Sequence, residues 1–295
     1  MPKAGIVTVV GKPNAGKSTL LNRVVGQKLS IVSAKPQSTR DRIVGIRTEG
    51  DVQMIVLDTP GLLNPRYPLQ RAMRGAALAA LDDADVILYL VDATEDDGAA
   101  ASLADVAQLE RPPRAPVILA LNKVDRVSTE RRLELQQQFP DARLISATTG
   151  DGVDALVDAI TMLLPESPFL YPEDEISTQT LRFFTAELIR ETALEQLDDE
   201  VPYSVACEIE EFRESESPVY IRAILHVERE SQKRILIGAG GQRIRSIGRE
   251  ARSKIEPLVG AGVYLDLWVK VLPNWRRNAR ALQRFGYQLP EDRAP

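Results

Sequence analysis

The chain has very few of the residues from which disulfides and metal clusters are built. It contains one cysteine, Cys207, and one histidine, His226, among 295 residues. A single cysteine excludes an intramolecular disulfide, and one residue of each kind excludes a His/Cys metal cluster within one chain. We interpret Cys207 as a small buried hydrophobe and His226 as a structural residue of a strand.

Long apolar runs are absent too. No run approaches the roughly 18 residues that suggest a membrane-spanning helix, and the longest, such as Val86–Val91, have the length of a strand. Met1–Val10 carries one lysine and a short apolar run, too little for a signal peptide. Apolar residues make up 44% and charged residues 27%, which disfavours wholesale disorder. We expect a two-domain protein of the cytosol.

The net charge of −5 conceals an asymmetry along the chain. Residues 171–217 carry 14 acidic and 3 basic side chains, whereas residues 233–295 carry 13 basic and 5 acidic ones. A charge run is usually a solvated face, so this count alone decides nothing. The basic stretch lies beside a glycine-rich turn, however, and this position favours the alternative, an anionic partner.

Short apolar runs alternate with helical patterns in the first half, which predicts an α/β domain with a mostly parallel sheet and helices on both faces. The predicted strands are Ile6–Val10, Ile43–Ile46, Met54–Leu57, Val86–Val91, Val117–Leu121 and Leu144–Ile145, and the predicted helices are Ser18–Gly26, Leu69–Leu81, Ser102–Leu109, Glu130–Phe139 and Val153–Leu163. The turn Glu49–Asp51 joins the second and third strands like a hairpin, so we expect one antiparallel edge.

A proline-rich, acidic stretch divides the chain, which predicts a first domain over 1–166, a linker over 167–178 and a second domain over 179–295. The second domain reads as α+β: a helix from Leu181 to Leu197, strands Tyr203–Phe212 and Val219–Val227, a basic glycine-rich turn, a helix Gly241–Leu258, a strand Val263–Val271 and a helix near Trp275–Phe285. We interpret Trp268 and Trp275 as core or interface residues rather than base-stacking ones.

A glycine-rich loop lies between the first strand and the first helix. Its residues are Gly11, Lys12, Pro13, Asn14, Ala15, Gly16, Lys17 and Ser18, followed by Thr19. They match G-x-x-x-x-G-K-[ST], in which backbone N–H groups and a helix N-terminus surround phosphates. We expect Lys17 to reach the β- and γ-phosphates and the Ser18 hydroxyl to bind Mg²⁺.

Two further strand ends supply the rest of a nucleotide site. Asp58, Thr59, Pro60 and Gly61 close the strand Met54–Leu57, where a carboxylate suits Mg²⁺ and the Gly61 N–H suits the γ-phosphate. Asn122, Lys123, Val124 and Asp125 follow the strand Val117–Leu121, and Ser146, Ala147 and Thr148 follow the next. The Asp125 carboxylate can accept two hydrogen bonds from guanine and none from adenine, so these residues predict GTP and disfavour an ATP-dependent kinase.

The order of these motifs resembles the translation-factor-related GTPases, with Gln37–Asp41 at the place of their first switch. The similarity extends to members that assemble ribosomes and end in a type II KH domain. It covers nearly the whole chain, and the stretches that carry it are Gly11–Asn22, Lys35–Ile46, Pro202–Val205, Val227–Ile247 and Leu267–Lys270. The resemblance implies a P-loop GTPase domain followed by a KH domain, GTP and Mg²⁺ as ligands, and the 3′ end of small-subunit ribosomal RNA as partner.

The resemblance also implies particular roles for single residues. Leu62 stands where Ras-like GTPases have a water-orienting glutamine, which implies slow intrinsic hydrolysis, about 10⁻⁴–10⁻³ s⁻¹. Asn14 matches the position that holds K⁺ in related GTPases, although simple loop stabilisation explains it equally well. Thr39 is our candidate for the switch residue that senses Mg²⁺ and γ-phosphate, with Ser38 as the second choice. Lys17, Thr39, Asp58 and Gly61 would then form the hydrolysis site.

The basic glycine-rich turn predicts an RNA site. Gly238, Ala239, Gly240 and Gly241 form a Gly-x-x-Gly loop between two helical patterns, and the KH module uses such a loop to clamp about four nucleotides of single strand. Seven basic residues surround it: Lys233, Arg234, Arg243, Arg245, Arg249, Arg252 and Lys254. They can neutralise phosphates. The alternative is a GTPase whose basic domain docks on a membrane surface or a protein. We expect a monomer, with peripheral membrane association kept open.

Overall fold

The computed structural model describes residues 1–33, 35–95 and 101–290. The chain divides into two compact units. The first comprises residues 1–30, 39–66 and 70–178, and the second comprises residues 31–38, 67–69 and 179–295. The second unit therefore includes two short pieces from the first half of the chain.

The first unit is built on a six-stranded sheet. Its strands are β1 (Lys3–Val10), β2 (Ile43–Glu49), β3 (Val52–Asp58), β4 (Val86–Asp92), β5 (Val117–Asn122) and β6 (Arg143–Leu144). They lie in the order β2-β3-β1-β4-β5-β6. Only the β2–β3 pair is antiparallel, so the predicted α/β class, parallel sheet and antiparallel edge are confirmed. The carboxyl ends of β1, β3 and β5 lead into the predicted site motifs.

Four helices connect these strands in the described part of the unit and a further one follows β6: α1 (Lys17–Val25), α2 (Pro68–Asp82), α3 (Leu103–Ala107), α4 (Thr129–Gln138) and α5 (Val153–Leu163). They agree with the predicted helices to within a few residues at each end. The sheet is buried because its strands are continuous apolar runs; in β4, for example, Val86, Ile87, Leu88 and Leu90 are at most 1% exposed.

The second unit is a three-stranded sheet with helices. Its elements are α6 (Leu181–Gln196), α7 (Val201–Ser204), β7 (Ala206–Arg213), β8 (Val219–Val227), α8 (Glu230–Ile237), α9 (Gln242–Val259), β9 (Val263–Val271) and α10 (Ala279–Arg284). The strand order is β7-β8-β9, with β7–β8 antiparallel and β8–β9 parallel. One face of the sheet joins α6 and α9 in an aliphatic core that includes Ile189, Ile221, Ile247 and Ile255.

One detail of the predicted second domain is wrong. The strand begins at Ala206 rather than Tyr203, because Pro202 opens the short helix α7. The Trp275 ring is fully buried, as expected of a core residue, and its Nε1 donates to Ser204 O at 2.8 Å. Trp268, in contrast, is 55% exposed, which excludes the core alternative for it and leaves the prediction of an interface residue untested. The helical pattern expected before the glycine loop is α8.

The stretch predicted as a linker, 167–178, lies in the first unit. The Gln53 Oε1 accepts hydrogen bonds from Leu170 N and Tyr171 N at 2.8 and 3.0 Å, and the Ser177 Oγ donates to Val44 O at 2.5 Å. The stretch is thus bonded to β2 and β3 although it has no helix or strand of its own. Within the described parts of the chain, no helix has the length and apolar character that crossing a membrane requires.

Candidate nucleotide site and nucleic-acid interface

The glycine-rich loop is packed so closely that side chains would not fit. Gly16 has a φ of 99°, and a Cβ on it would lie 2.2 Å from Asn122 Nδ2. A Cβ on Gly61 would lie 2.7 Å from Pro13 N. The Leu62 N–H donates to Gly11 O at 2.9 Å. Glycine is therefore required where the loop after β1 meets the loops after β3 and β5.

Lys17 lies inside this loop and is buried. Its Nζ donates to Gly11 O at 3.3 Å and to Lys12 O at 2.9 Å. Burial lowers the pKa of Lys17 to about 8, and the charge of Asp58 partly opposes this shift. A phosphate group beside Lys17 would favour the protonated amine and oppose the effect of burial. The surroundings of Lys17 are therefore complementary to an anion.

The carboxylate of Asp58, at the end of β3, accepts hydrogen bonds from three hydroxyl groups. Its Oδ2 accepts hydrogen bonds from Ser18 Oγ and Ser30 Oγ, both at 2.7 Å, and from Thr39 Oγ1 at 3.3 Å. The Ser18 and Thr39 hydroxyls are also 2.9 Å apart. Of the two candidates for the switch residue, Thr39 is therefore the one whose side chain is next to Ser18 and Asp58. Sequence reasoning missed Ser30, since no motif marks it.

The donor set at Asp58 fits a hard cation. Burial raises the pKa of Asp58, while Lys17 and the three hydroxyls oppose the rise. The Asp58 Oδ1 is buried and, within the described chain, has no hydrogen-bond partner. A buried carboxylate oxygen in this state can accept a further ligand, such as a cation or a water molecule. Carboxylate and hydroxyl oxygens are ligands that Mg²⁺ prefers, so Ser18, Thr39 and Asp58 could hold it.

Asn122 ties the loops of the site together. Its Nδ2 donates to Ala15 O at 2.8 Å, and its Oδ1 accepts from Ala147 N at 2.9 Å. Asp125 follows in a 3-10 turn, Val124–Arg126, and its side chain is exposed, as a base-reading carboxylate must be. The structure thus brings together the loop after β1, the residues after β5 and Ser146–Thr148.

Two residues that bond to the predicted base-binding residues were not themselves predicted. Arg23 of α1 donates through Nε to Ala147 O at 2.5 Å and through Nη2 to Thr148 O. The Asp92 Oδ2 accepts from Lys123 Nζ at 2.5 Å, and this partner contributes to the lowered pKa of Asp92, against the effect of its burial. Both contacts join residues that are far apart in the sequence, and neither residue belongs to a motif.

The remaining predicted residues of this site keep their places around the loop. Lys12 forms an ion pair with Glu95 at 3.3 Å, and the Thr59 Oγ1 donates to Val9 O at 2.8 Å. Asn14 has a φ of 63°. Leu62 is buried in the core beside β4, and its aliphatic side chain has no group that could orient a water molecule.

The second unit carries the predicted RNA loop. Gly238, Gly240 and Gly241 have φ values of 74°, 56° and 77°, and a Cβ on Gly240 would meet nothing within 4 Å. The loop is held by Arg243, which donates to Ile235 O at 3.1 Å, and by Arg245, which donates to Gly240 O at 2.6 Å. Such a backbone can approach a sugar–phosphate chain closely.

The basic residues of α9 divide between two faces. Arg245, Arg249 and Arg252 are exposed, whereas Lys254 pairs with Glu191 and Glu195 of α6. Lys233 is half-buried in α8, next to exposed Arg234. Arg245 and Arg249 are thus exposed on the helix that begins at the loop, whereas Arg252 is 3.8 Å from Glu256 and Lys254 bonds to α6.

Both halves of the fold and the nucleotide-site geometry define a P-loop protein built for guanine nucleotides, with an RNA-binding type of domain attached. Comparison with known proteins agrees. A family model described as "50S ribosome-binding GTPase" matches residues 6–123, and one described as "KH domain" matches residues 200–276.

Individual relatives cover almost the whole chain. GTPase Era of Pseudomonas fluorescens (strain Pf0-1) is 45% identical over 295 residues, covering 97% of each chain. GTPase Era of Carboxydothermus hydrogenoformans is 43% identical, covering 97% of this chain and 98% of its own. The chain belongs to the Era family of GTPases.

Solved structures of this family superpose closely. A point variant of Aquifex aeolicus Era bound to GDP and AlF4⁻ is 39% identical, with a TM-score of 0.88, over 97% of this chain and 100% of the other. Era in complex with MgGDPNP and nucleotides 1506–1542 of 16S ribosomal RNA is 38% identical, with a TM-score of 0.89, over 98% and 100%. The predicted P-loop GTPase domain followed by a KH domain is confirmed.

Proposed function

We propose that this GTPase binds the 3′ end of small-subunit ribosomal RNA through Gly238–Gly241 and assists maturation of the small ribosomal subunit. The observation that carries the proposal is the open Gly240 backbone beside exposed Arg245 and Arg249. It is supported by the related Era structure that contains 16S ribosomal RNA. We infer a monomer that works in the cytosol.

In the proposed cycle the nucleotide site holds GTP and Mg²⁺. Ser18, Thr39 and Asp58 would hold Mg²⁺, which when bound neutralises charge on the phosphate oxygens. Lys17 binds the β- and γ-phosphates in its protonated form, and the Gly61 N–H meets the γ-phosphate. Thr39 can sense the γ-phosphate because its hydroxyl already lies 2.9 Å from Ser18 Oγ.

Hydrolysis is slow in this proposal, since Leu62 is buried and apolar. We further propose that K⁺, held with the help of Asn14, accelerates it. Hydrolysis rates in equimolar KCl and NaCl test this second point. A higher rate in KCl that disappears in Asn14→Ala supports the potassium site, whereas equal rates in the two salts remove it.

The RNA proposal is tested by binding of a short single-stranded RNA with a pyrimidine-rich tail. Gly240→Asp places a carboxylate beside the phosphates, which should weaken binding by about fivefold or more because like charges at contact repel by at least about 1 kcal/mol. Gly260→Asp is the matched control. Gly260 ends α9 with a φ of 73° and also has open space around its Cβ position.

The outcome also decides against the alternative. Loss of RNA binding in Gly240→Asp but not in Gly260→Asp supports the proposal. If the wild-type chain binds GTP and GDP but no RNA in either state, the RNA proposal is wrong. Binding of anionic vesicles in place of RNA would then favour a membrane-surface module.

A further inference from the structure

The helix α6 buries polar and charged side chains that a simple packing helix would not contain. Thr185, Arg190, Glu191 and Thr192 are each at most 2% exposed. A buried charge costs several kcal/mol unless it is paired and hydrogen-bonded. The hydrogen-bond and ion-pair partners of these side chains therefore show to which parts of the chain α6 is bonded.

Arg190 holds a main-chain carbonyl. Its Nε and Nη2 donate to the two carboxylate oxygens of Glu187, at 2.8 and 2.5 Å, and its Nη2 also donates to Ser38 O at 2.5 Å. A guanidinium in a two-point pair with a carboxylate has a fixed orientation. The Ser38 carbonyl is thus bonded to a side chain whose orientation is restricted by its pair with Glu187.

Two further contacts hold the same segment, residues 31–38 of the second unit. The Glu191 Oε1 accepts from Val32 N at 3.4 Å. The Lys35 Nζ donates to Leu194 O at 2.6 Å and to Leu197 O. The segment is therefore bonded to α6 and the residue that follows it at three separate points.

On its other side α6 is bonded to the helix that begins at the RNA loop. The second carboxylate oxygen of Glu191 is 3.4 Å from Lys254 Nζ, and Glu195 Oε2 is 2.6 Å from the same atom. The Gln196 Nε2 donates to Glu250 at 2.7 Å. Glu191 therefore contacts the segment 31–38 with one oxygen and α9 with the other.

From these contacts we propose that Arg190 and Glu191 are positioning residues for GTP hydrolysis: Arg190 fixes Ser38 and with it the next residue, Thr39, and Glu191 makes that position respond to α9. Ser38 and Thr39 share a peptide bond, so holding the Ser38 carbonyl restricts where the Thr39 hydroxyl can reach. A coupling of this kind acts in both directions, because RNA and GTP must change each other's affinity by the same factor.

The first experiment needs no RNA. Dissociation constants for GDP and for a non-hydrolysable GTP analogue are measured with Mg²⁺ in the wild type and in Arg190→Lys, which keeps the charge but loses the fork. We expect the preference for the GTP analogue to fall about tenfold or more, the loss of roughly one hydrogen bond of a charged group, with GDP affinity unchanged. A merely structural residue would change both affinities together.

Arg182→Lys is the matched control, because Arg182 lies on the same helix and donates to the Ile209 and Glu210 carbonyls instead. If Arg190→Lys does not fold, as judged by urea unfolding, Glu187→Gln weakens the same arginine in its place. A folded variant at either position with the wild-type ratio of GTP-analogue to GDP affinity overturns the role of Arg190.

The second experiment measures the coupling and rests on the proposed RNA function. RNA affinity is compared in the GTP-analogue and GDP states for the wild type, Glu191→Gln and the control Glu195→Gln. Glu195 binds the same Lys254, whereas the hydrogen bond to Val32 N belongs to Glu191. Couplings between sites are typically about 5- to 150-fold, and we expect Glu191→Gln to reduce this factor to about twofold or less, with Glu195→Gln keeping it.

Equal coupling in Glu191→Gln and the wild type overturns the role of Glu191. The same holds if the wild type binds RNA equally well in both nucleotide states, while the proposed RNA function then stands. If the wild type binds no RNA, the RNA function and the part of Glu191 fail together. The role of Arg190 is then decided by the first experiment alone.

Discussion

Single side chains hold the loops of this nucleotide site together, and Asn122 is one of them. Asn122 bonds the phosphate loop through Ala15 O and the base loop through Ala147 N. In Asn122→Ala both main-chain groups lose their partner in a buried place, at about 1–3 kcal/mol each. We expect GTP and GDP affinities to fall together by about 10- to 100-fold, measured by calorimetry. An unchanged GDP affinity in a folded variant would contradict this reading of Asn122.

The single histidine gives a pH prediction at the same scale. His226 is buried, its Nε2 bonds Glu208 Oε2 at 2.9 Å, and its ring lies 5.2 Å from that of Phe285. Burial lowers the pKa of His226 below the ordinary 6.5; Arg284 and Lys270 act in the same direction and Glu208 opposes them. The unfolded chain therefore binds a proton that the folded chain rejects, so the unfolding free energy should fall as the pH drops below about 6.5.

Because there is only one histidine, its NMR signal reports this pKa without assignment. Urea unfolding at pH 5, 6 and 7 should show the loss of stability in the transition of the second unit, and His226→Gln should reduce the slope. An imidazole that titrates at or above its ordinary value would contradict the prediction.

Which residues could be found from the sequence depends on how local their signal is. Gly16, Lys17 and Ser18 form a contiguous motif, so their place in the loop between β1 and α1 was predictable. Ser30 and Arg190 were not, because each acts through a contact that only the folded chain creates: Ser30 on Asp58, and Arg190 on a carbonyl 152 positions away.

At the scale of elements, glycines that begin or end helices give a clean comparison. Gly26 ends α1 and Gly152 precedes α5, with φ values of 76° and 71°. A Cβ on Gly26 would meet nothing within 4 Å, whereas one on Gly152 would lie 2.3 Å from Leu144 O. Gly26→Ala should cost about 1 kcal/mol from backbone strain alone, and Gly152→Ala at least about 2 kcal/mol more from the collision.

Both glycines lie in the first unit, so urea unfolding of the same transition measures both variants. Gly26→Ala serves as the control for left-handed strain. Equal losses of stability would show that Leu144 moves aside freely, against the prediction.

Element prediction succeeded where the hydrophobic period was long and unambiguous. Each strand of the large sheet except β6 is an apolar run, and helices such as α5 have buried residues at helical spacing. The failure is a short element. The four residues of α7 provide too little periodicity, and Pro202 is compatible with the end of a strand as well as with the start of a helix.

At the scale of the whole molecule, the uneven distribution of charge should govern RNA binding. The chain is acidic overall, yet its basic residues concentrate after residue 233. If the loop clamps about four nucleotides, the logarithm of the affinity should fall with the logarithm of salt concentration with a slope of about −3, at about 0.7 per phosphate. Arg249→Gln should make the slope shallower by about 0.7, whereas Arg131→Gln, on α4 of the first unit, should leave it unchanged.

The measurement is RNA binding by fluorescence anisotropy from low to physiological salt. A slope near zero would mean that phosphate neutralisation does not drive binding. A slope that Arg131→Gln alters as much as Arg249→Gln would mean that the charge of the whole molecule matters more than the basic surface of α9.

The division into units has a consequence for how the chain is made. Residues 31–38 leave the ribosome early, but their partners on α6 are synthesised only about 150 residues later, since Ser38 and Arg190 are 152 positions apart. At the usual 5–20 residues per second this delay is about 8–30 s. During that time the six-stranded sheet can form with the stretch before Thr39 still unanchored. In a nascent chain, residues 31–38 therefore gain their hydrogen-bond partners only when α6 has been synthesised.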